Sequence, residues 1–179
     1  LIAHGENRDA ARLTLMDGLD DSFVGPLRTN KGFMYECLDS PGFASGDVDT
    51  GLIAREGDAL IPAAEPSQAA ADSAAARFRQ DWLDWHSNSH ERDMLRGLFG
   101  FRMNRPPQDS FGLWSDGAAS VGNSAARGPC RSDLANDGTV MVTERGQSRV
   151  FSLRPPYPGA AASAGSGAIL SPMPGKIIA

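Results

Sequence analysis

His86 and His90 are the side chains whose type and spacing come closest to a metal site. Residues four apart lie on one face of a helix, and histidines at this spacing are a common pair of zinc ligands. Glu91 follows the second histidine instead of the first, which differs from the zinc-protease pattern, and no third ligand is apparent nearby. The sequence therefore favours solvated histidines at the end of a helix over a metal site.

Other reactive groups give weaker patterns. Cys130 precedes Arg131, and a neighbouring cation can lower a thiol pKa, but a single adjacent charge favours a plain loop cysteine over a nucleophile. The acidic clusters lack the alternating ligands and final glutamate of a calcium loop, so turn and cap roles are favoured for Asp17, Asp20, Asp21, Asp47, Asp49 and Asp58. We therefore expect no catalytic, cofactor-binding or metal-binding residue in this chain.

The composition limits the class of protein. With 41% hydrophobic and 22% charged residues, the 179-residue chain is typical of globular proteins, and its net charge of -5 argues against nucleic acid as a partner. The two cysteines lie in separate segments, which predicts no disulfide and a reducing compartment. Neither a signal peptide nor a membrane span is apparent, so we expect a cytoplasmic protein without membrane contact. The chain begins without Met and within an apolar pattern, which indicates a fragment of a longer chain.

The first third of the chain has the pattern of a mixed helical and strand region. Asn7 is a suitable cap for a helix over 8–19, and residues 23–24 suggest a short buried strand. Thr29 or Asn30 can cap a second helix, which residues 40–42 should end. Two helices and two short strands bury too little surface for an independent core, so residues 1–62 are expected to complete a larger domain.

The rest of the chain predicts one long helix followed by strands. The helix covers about 67–85, and its apolar face changes from alanine to Phe78, Trp82 and Trp85, which we expect to be substantially buried. Alternating patterns predict antiparallel strands at 101–103, 111–114, 139–143 and 149–153, with turns at 115–117 and 145–147. Residues 118–136 have few large apolar side chains and are not expected to form strands. A flexible linker covers 155–167, and a β-type pattern resumes at 169–178.

Three regions of the chain resemble, in the same order, three successive parts of one protein family. The sequences LIAHGENRDAA at 1–11, LRTN at 27–30 and FASGDVDTGLI at 43–53 are similar to the end of a biotin carboxylase domain. At 171–178, SPMPGKII resembles the first strand and turn of a biotinyl carrier domain. Between them, GFRMN at 100–104 and the region 140–155 resemble the domain that joins carboxylase and carrier. In this order, the segments resemble the alpha subunit of a biotin-dependent acyl-CoA carboxylase, of the methylcrotonyl-CoA type or the related propionyl- and geranyl-CoA types.

The resemblance implies an α+β fold in four parts. Residues 1–62 would end the ATP-grasp biotin carboxylase domain, and 63–154 would form the joining domain, a long helix packed with an antiparallel β-barrel. Residues 155–167 would be the linker, and 168–179 would begin the carrier domain. Residues 118–136 are shorter and less strand-like than the family pattern, which predicts that barrel strands are missing.

The resemblance also implies a function for the intact subunit. It would use ATP, Mg²⁺ and bicarbonate to carboxylate biotin, for transfer to an acyl-CoA such as 3-methylcrotonyl-CoA on a carboxyltransferase beta subunit. The ATP-site residues are expected upstream of this chain and the biotinyl lysine downstream, so this piece alone should be inactive. It would supply the carrier tether and the docking of subunits, and its other partners would be the remaining alpha-subunit domains.

The docking residues are expected after the long helix, where apolar side chains alternate with arginines. This combination is typical of interface anchors with a polar rim, and it comprises Arg92, Met94, Leu95, Arg96 and Leu98. The same apolar residues could instead plug the open end of the barrel. A different class of function is a non-catalytic protein-binding module unconnected to a carboxylase, since no catalytic group is visible.

Overall fold

The computed structural model describes residues 1–25, 27–85, 98–125 and 128–155, with the Trp85 side chain excluded. These residues form a mixed α+β fold with two small antiparallel sheets. The helices are α1 (Arg8–Asp21), α2 (Lys31–Asp39), α3 (Pro41–Ser45), α4 (Leu52–Glu56) and α5 (Gln68–Trp85), with a 3₁₀ turn at Gly57–Leu60. The strands are β1 (Ser110–Ser115), β2 (Ala118–Asn123), β3 (Arg131–Leu134), β4 (Val140–Glu144) and β5 (Gln147–Phe151).

Helices α1 and α2 begin where their caps were predicted. The Asn7 carboxamide oxygen accepts a hydrogen bond from the Ala10 amide at 2.8 Å, which satisfies one of the free N–H groups of the first turn. Asn30 occupies the N-cap position of α2 without a side-chain cap hydrogen bond. Met16 and Leu19 of α1 and Leu38 of α2 form a small core, against which Leu15, Tyr35 and Phe43 pack.

The strands expected in the first third are absent from its described residues. Residues 23–24 are only partly buried and belong to no ladder, so the predicted strand there is wrong. Short helices are found in this part of the chain instead. Residues 40–42, which were predicted to end the second helix, end α2 and also begin α3. Ser40 ends α2, and its hydroxyl accepts a hydrogen bond from the Phe43 amide, while Pro41 fits the first turn because its missing N–H needs no partner there.

The main core lies between α5 and both sheets. Four alanines of α5 are at most 2% exposed, and they allow the strands to approach the helix closely: Ala70, Ala71, Ala74 and Ala75. Leu113 of β1, Val140 and Val142 of β4 and Phe151 of β5 fill the space opposite them. The predicted long helix is therefore confirmed as the element around which this core is built.

The sheets contain β1–β2 and β3–β4–β5, each with antiparallel pairing. Trp114 and Ser152 exchange two backbone hydrogen bonds of 2.9 Å, and this bridge joins β1 to β5. Through this bridge the strands follow the order β2, β1, β5, β4, β3. No closed barrel forms among the described residues, so the expected barrel architecture is not found there.

Both predicted hairpin turns are confirmed. Asp116 and Gly117 have φ of 51° and 84°, and Arg145 and Gly146 have φ of 49° and 73°. Each pair forms the two-residue connection between consecutive strands. Positive φ at both central positions is the geometry whose twist matches that of the flanking strands, which explains glycine at the second position.

Two predictions about the location of strands are wrong. Residues 101–103 form no strand, and only an isolated bridge joins Arg102 to Arg105. Conversely, β2 and β3 lie within 118–136. The glycine of β2 and the glycine that precedes β3 reflect close packing on α5, because a Cβ on Gly122 would collide with the Ala71 carbonyl oxygen and one on Gly128 with the Ser73 hydroxyl.

Candidate functional site

The predicted docking region falls mostly outside the described residues. Arg92, Met94, Leu95 and Arg96 are among the residues whose structure is not described, as are His86 and His90. Leu98 is described, and it is 52% exposed. The structure thus places one of the five predicted docking side chains, and it lies on the surface.

Leu98 begins an exposed apolar surface at the C-terminal end of α5. Phe101 and Met103 are 64% and 81% exposed, and Trp82 is 37% exposed. We call Trp82, Leu98, Phe99, Phe101 and Met103 the end surface. Contiguous exposed apolar side chains are typical of surfaces that bind another protein, whereas apolar side chains exposed singly are common on any surface.

A row of aromatic rings connects the end surface to the core. Trp82 meets Phe99 edge-on with ring centroids 5.5 Å apart, Phe99 lies 5.8 Å from Phe111, and Phe111 lies 6.5 Å from the buried Phe78. The Arg79 guanidinium lies 4.8 Å from the Phe99 ring centroid and adds a cation–π contact. Trp82 and Phe99, the part of the end surface nearest the core, are therefore held by packed rings, which lowers the entropic cost of binding a partner there.

The sequence predicted that Phe78, Trp82 and Trp85 of α5 are substantially buried, and this is confirmed for Phe78 alone. Phe78 is buried, with 5% exposure, but the prediction that Trp82 is substantially buried is wrong. The side chain of Trp85 lies outside the described residues. Sequence reasoning missed Phe101 and Met103 as surface residues because their pattern suggested a strand over 101–103; Gly100, with φ of 72°, was a signal of the turn that precedes them.

The second candidate region is a polar junction, in which the β4–β5 turn contacts α1 and α2. Arg145 lies between Glu36 and Asp39 of α2, with Nη2–carboxylate distances of 2.5 and 2.7 Å. Its guanidinium is also 4.9 Å from the Tyr35 ring centroid. The Gly146 amide donates a hydrogen bond to the Asp20 carboxylate of α1. These contacts join the N-terminal helices to the sheet.

The junction is electrostatically balanced around Asp20. Burial raises the pKa of the Asp20 carboxyl, and the hydrogen bond from Gly146 and the charges of Lys31 and Arg145 partly offset this effect. Lys31 is itself 8% exposed, its ammonium donates to the Ser22 carbonyl oxygen, and burial lowers its pKa. Asp20, Lys31 and Arg145 each have a partner within the junction, and these contacts hold the β4–β5 turn against α1 and α2.

Cys130 does not have the properties of a reactive thiol. Burial and then the charge of Glu144 raise its pKa to about 11, and its Sγ lies 3.8 Å from a Glu144 carboxylate oxygen. The raised pKa agrees with the prediction that Cys130 is a plain cysteine and not a nucleophile. It contradicts the alternative in which Arg131 lowers the thiol pKa. Both cysteines are free.

The acidic clusters take structural roles. Asp49 accepts hydrogen bonds from the Gly51 amide and the Arg55 guanidinium, at 2.8 and 2.6 Å, and both lower its pKa. Asp21 pairs with Arg131 at 2.9 Å, which adds a contact between α1 and β3. Within the described residues, no group of three or more histidine, cysteine, aspartate or glutamate side chains has a geometry that could hold a metal.

No helix in the described part of the chain is long and apolar enough to cross a membrane. A comparison with models of known protein families gives no match, and a comparison with curated proteins also gives none.

Proposed function

We propose that this chain is part of the alpha subunit of a biotin-dependent acyl-CoA carboxylase. The intact subunit would carboxylate biotin with ATP, Mg²⁺ and bicarbonate, and the carboxyl group would pass to an acyl-CoA such as 3-methylcrotonyl-CoA on a beta subunit. This piece contributes the docking unit and the tether of the carrier. The observation that carries the proposal is the ordered resemblance of residues 1–53, 100–155 and 171–178 to the three successive parts of such a subunit.

The packing of α5 supports the assignment of a joining domain. A helix of 18 residues buries its alanine face against strands from both antiparallel sheets. A joining domain needs such a self-supporting core, because it must hold its position between a catalytic domain and a mobile carrier. The order of the five strands through the β1–β5 bridge is compatible with a partial barrel.

The end surface is the proposed docking site for the carboxyltransferase subunit. It contains two exposed aromatic side chains, Trp82 and Phe101, with Leu98 and Met103 beside them. Aromatic and methionine side chains are enriched at the centres of protein interfaces, and charged residues are depleted there. The undescribed docking candidates, Arg92, Met94, Leu95 and Arg96, precede this surface directly in the sequence.

The proposed tether works through local concentration. A linked carrier replaces a bimolecular encounter with an intramolecular one, at an effective concentration set by the length and stiffness of the linker. Residues 159–167 contain Gly, Ala and Ser only, a composition typical of flexible linkers.

The complete source gene provides the experiment. Its open reading frame is expected to encode ATP-grasp residues upstream of Leu1 and a Met-Lys-Met sequence downstream of Ala179. The purified product should release ADP from ATP in a reaction that needs both bicarbonate and biotin. An uninterrupted reading frame without either flanking segment would support a non-catalytic binding module instead.

A further inference from the structure

A cavity of about 520 Å³ lies where the segment before α2 meets the sheet. Phe33 and Pro62 form part of its wall on the helical side, and Met141 of β4 and Val150 of β5 form part of the opposite wall. Small-molecule sites typically have volumes of about 300–1,000 Å³ and mostly apolar walls with a few polar groups. The cavity therefore has the size of a ligand site, although its walls are about equally polar and apolar, and it is separate from the end surface.

The charged lining of this cavity is predominantly cationic. Arg28, Arg149 and Asp116 are its only charged lining residues within the described part of the chain. Both arginines approach the same carboxylate, with Arg28 Nη2 3.5 Å from Asp116 Oδ1 and Arg149 Nη1 3.8 Å from Asp116 Oδ2. One aspartate, itself 55% exposed, thus serves two guanidinium groups, which leaves an excess positive charge at the cavity.

Arg149 is the buried member of this pair. Its side chain is 4% exposed, and its hydrogen-bond acceptors are neutral: the carbonyl oxygens of Ala63 and Ala64 and the side-chain oxygen of Gln147. Burial lowers the pKa of Arg149 and the charge of Arg28 lowers it further, against the opposite effects of Asp116 and Glu144. A buried cation is costly unless it is paired, so an anion in the cavity would compensate its charge.

We propose that this cavity binds a small amphipathic carboxylate, whose anionic head lies between Arg28 and Arg149 and whose apolar body contacts Phe33, Met141 and Val150. A carboxylate is suitable because its two oxygens can accept hydrogen bonds from two different guanidinium groups; both Nη2 hydrogens of Arg149 already go to Ala63 and Gln147, so this residue can offer only single hydrogen bonds from Nη1 or Nε. The exposed Arg28, with a side chain 92% accessible, provides the adjustable contact. Arg149, held by three neutral acceptors, provides the fixed one.

Titrations with three probes test the head and the body separately. Saturation-transfer NMR on the 179-residue chain should give saturable binding of octanoate. Octanamide, which has the same apolar body without the charge, should bind about tenfold more weakly or not at all, and acetate, which has the charge without the body, likewise. Octanamide binding as tight as octanoate, or acetate binding as tight, would overturn the proposal, as would the absence of saturable octanoate binding.

Replacing cavity residues with glutamate tests whether octanoate binds in this cavity. Arg28→Glu should weaken octanoate binding about tenfold, while Arg105→Glu, the same change at an exposed arginine outside the cavity lining, should leave it unchanged. Val150→Glu changes the opposite wall and should weaken binding as Arg28→Glu does, which gives a second measurement if one variant is poorly folded. Equal affinity in the parent and both cavity variants would place the binding elsewhere and contradict the proposal.

Discussion

Arg145 and Glu36 form a two-point ion pair across the polar junction, with Nε–Oε1 and Nη2–Oε2 distances of 2.8 and 2.5 Å. The two residues are 109 positions apart in the sequence. The guanidinium projects from a turn residue with φ of 49°, and the carboxylate lies on the facing side of α2. This geometry couples the N-terminal helices to the sheet through directed, charge-assisted hydrogen bonds.

Removal of this pair should destabilise the protein. Arg145→Asn retains a residue that tolerates positive φ and removes the guanidinium, so it tests the ion pair with little change in the turn. We expect the free energy of unfolding to fall by about 1–2 kcal/mol, since the paired groups are only partly exposed. Urea denaturation of Arg145→Asn, Glu36→Gln and the double variant should give a coupling energy of similar size. Arg55→Asn, which removes an exposed pair with Asp49, should cost less than Arg145→Asn, because solvent screens an exposed pair, and equal losses would argue against a special role for the junction.

The close contact of β2 with α5 gives a matched pair of glycine substitutions. Gly122→Ala places a Cβ against the Ala71 carbonyl and should cost about 1–3 kcal/mol, because the helix or the strand must move. Gly112→Ala, on the neighbouring strand β1, meets nothing within 4 Å. Its effect on thermal stability should be small, and a loss as large as that of Gly122→Ala would mean that close approach to α5 is not the reason for glycine at position 122.

These glycines also explain why part of the fold was not predictable from the sequence. Capping by Asn7 and the turns at Asp116–Gly117 and Arg145–Gly146 are local, so the local pattern was sufficient to predict them. Strand β2 depends on contact with α5, and its small residues fit against the alanine face of a helix some 50 residues earlier. The alanine-rich helix was the available signal, because it requires a partner that can approach closely.

The candidate site was also predictable only where it depends on the local sequence pattern. An apolar stripe predicts which side of α5 faces the core, but it does not predict where the core ends along the helix. Phe78 lies within the core and Trp82 one turn further lies at its edge, partly covered by Phe99. The sequence predicted an exposed apolar region after α5, of which Leu98 alone is described and is exposed, whereas the cavity beside Arg28 and Arg149 depends on contacts between distant segments.

Truncation of Phe78 and Trp82 should give unequal losses of stability. Phe78→Ala removes a buried ring and should cost about 3–5 kcal/mol. Trp82→Ala removes a ring that is 37% exposed and meets Phe99 edge-on, so we expect a smaller loss, of about 1–2 kcal/mol. Calorimetric unfolding measures both, and a larger loss for Trp82→Ala would show that its ring is part of the core.

The raised pKa of Cys130 predicts a stability change at alkaline pH. The folded protein favours the neutral thiol, so this stabilising contribution is complete below the unfolded pKa near 9 and is lost as the pH rises to about 11. In a Cys37→Ala background, the free energy of unfolding should fall more steeply between pH 9 and 11 than in the same protein with Cys130→Ala. Parallel pH profiles for the two proteins would contradict burial of the thiol.

Docking is testable in the intact subunit. Met94→Asp with Leu95→Asp, or Met103→Asp alone, should abolish co-purification with the carboxyltransferase subunit while biotin carboxylation persists. Val121→Asp changes an apolar side chain of β2 that is 60% exposed, and it should have no effect on assembly. Normal assembly of the first variants would contradict the docking site, and unfolding of the Met94 and Leu95 variant would favour the role of a barrel plug.

A streptavidin blot of the intact source protein tests the central claim most directly. After incubation with a biotin ligase, ATP and biotin, the full-length product should give a strong band, because its carrier domain would present a lysine for biotinylation. The 179-residue chain should give none under the same conditions. A blank lane for the full-length product would contradict the assignment to a biotin-dependent carboxylase, and a band for the 179-residue chain would place the biotinylated lysine within these 179 residues.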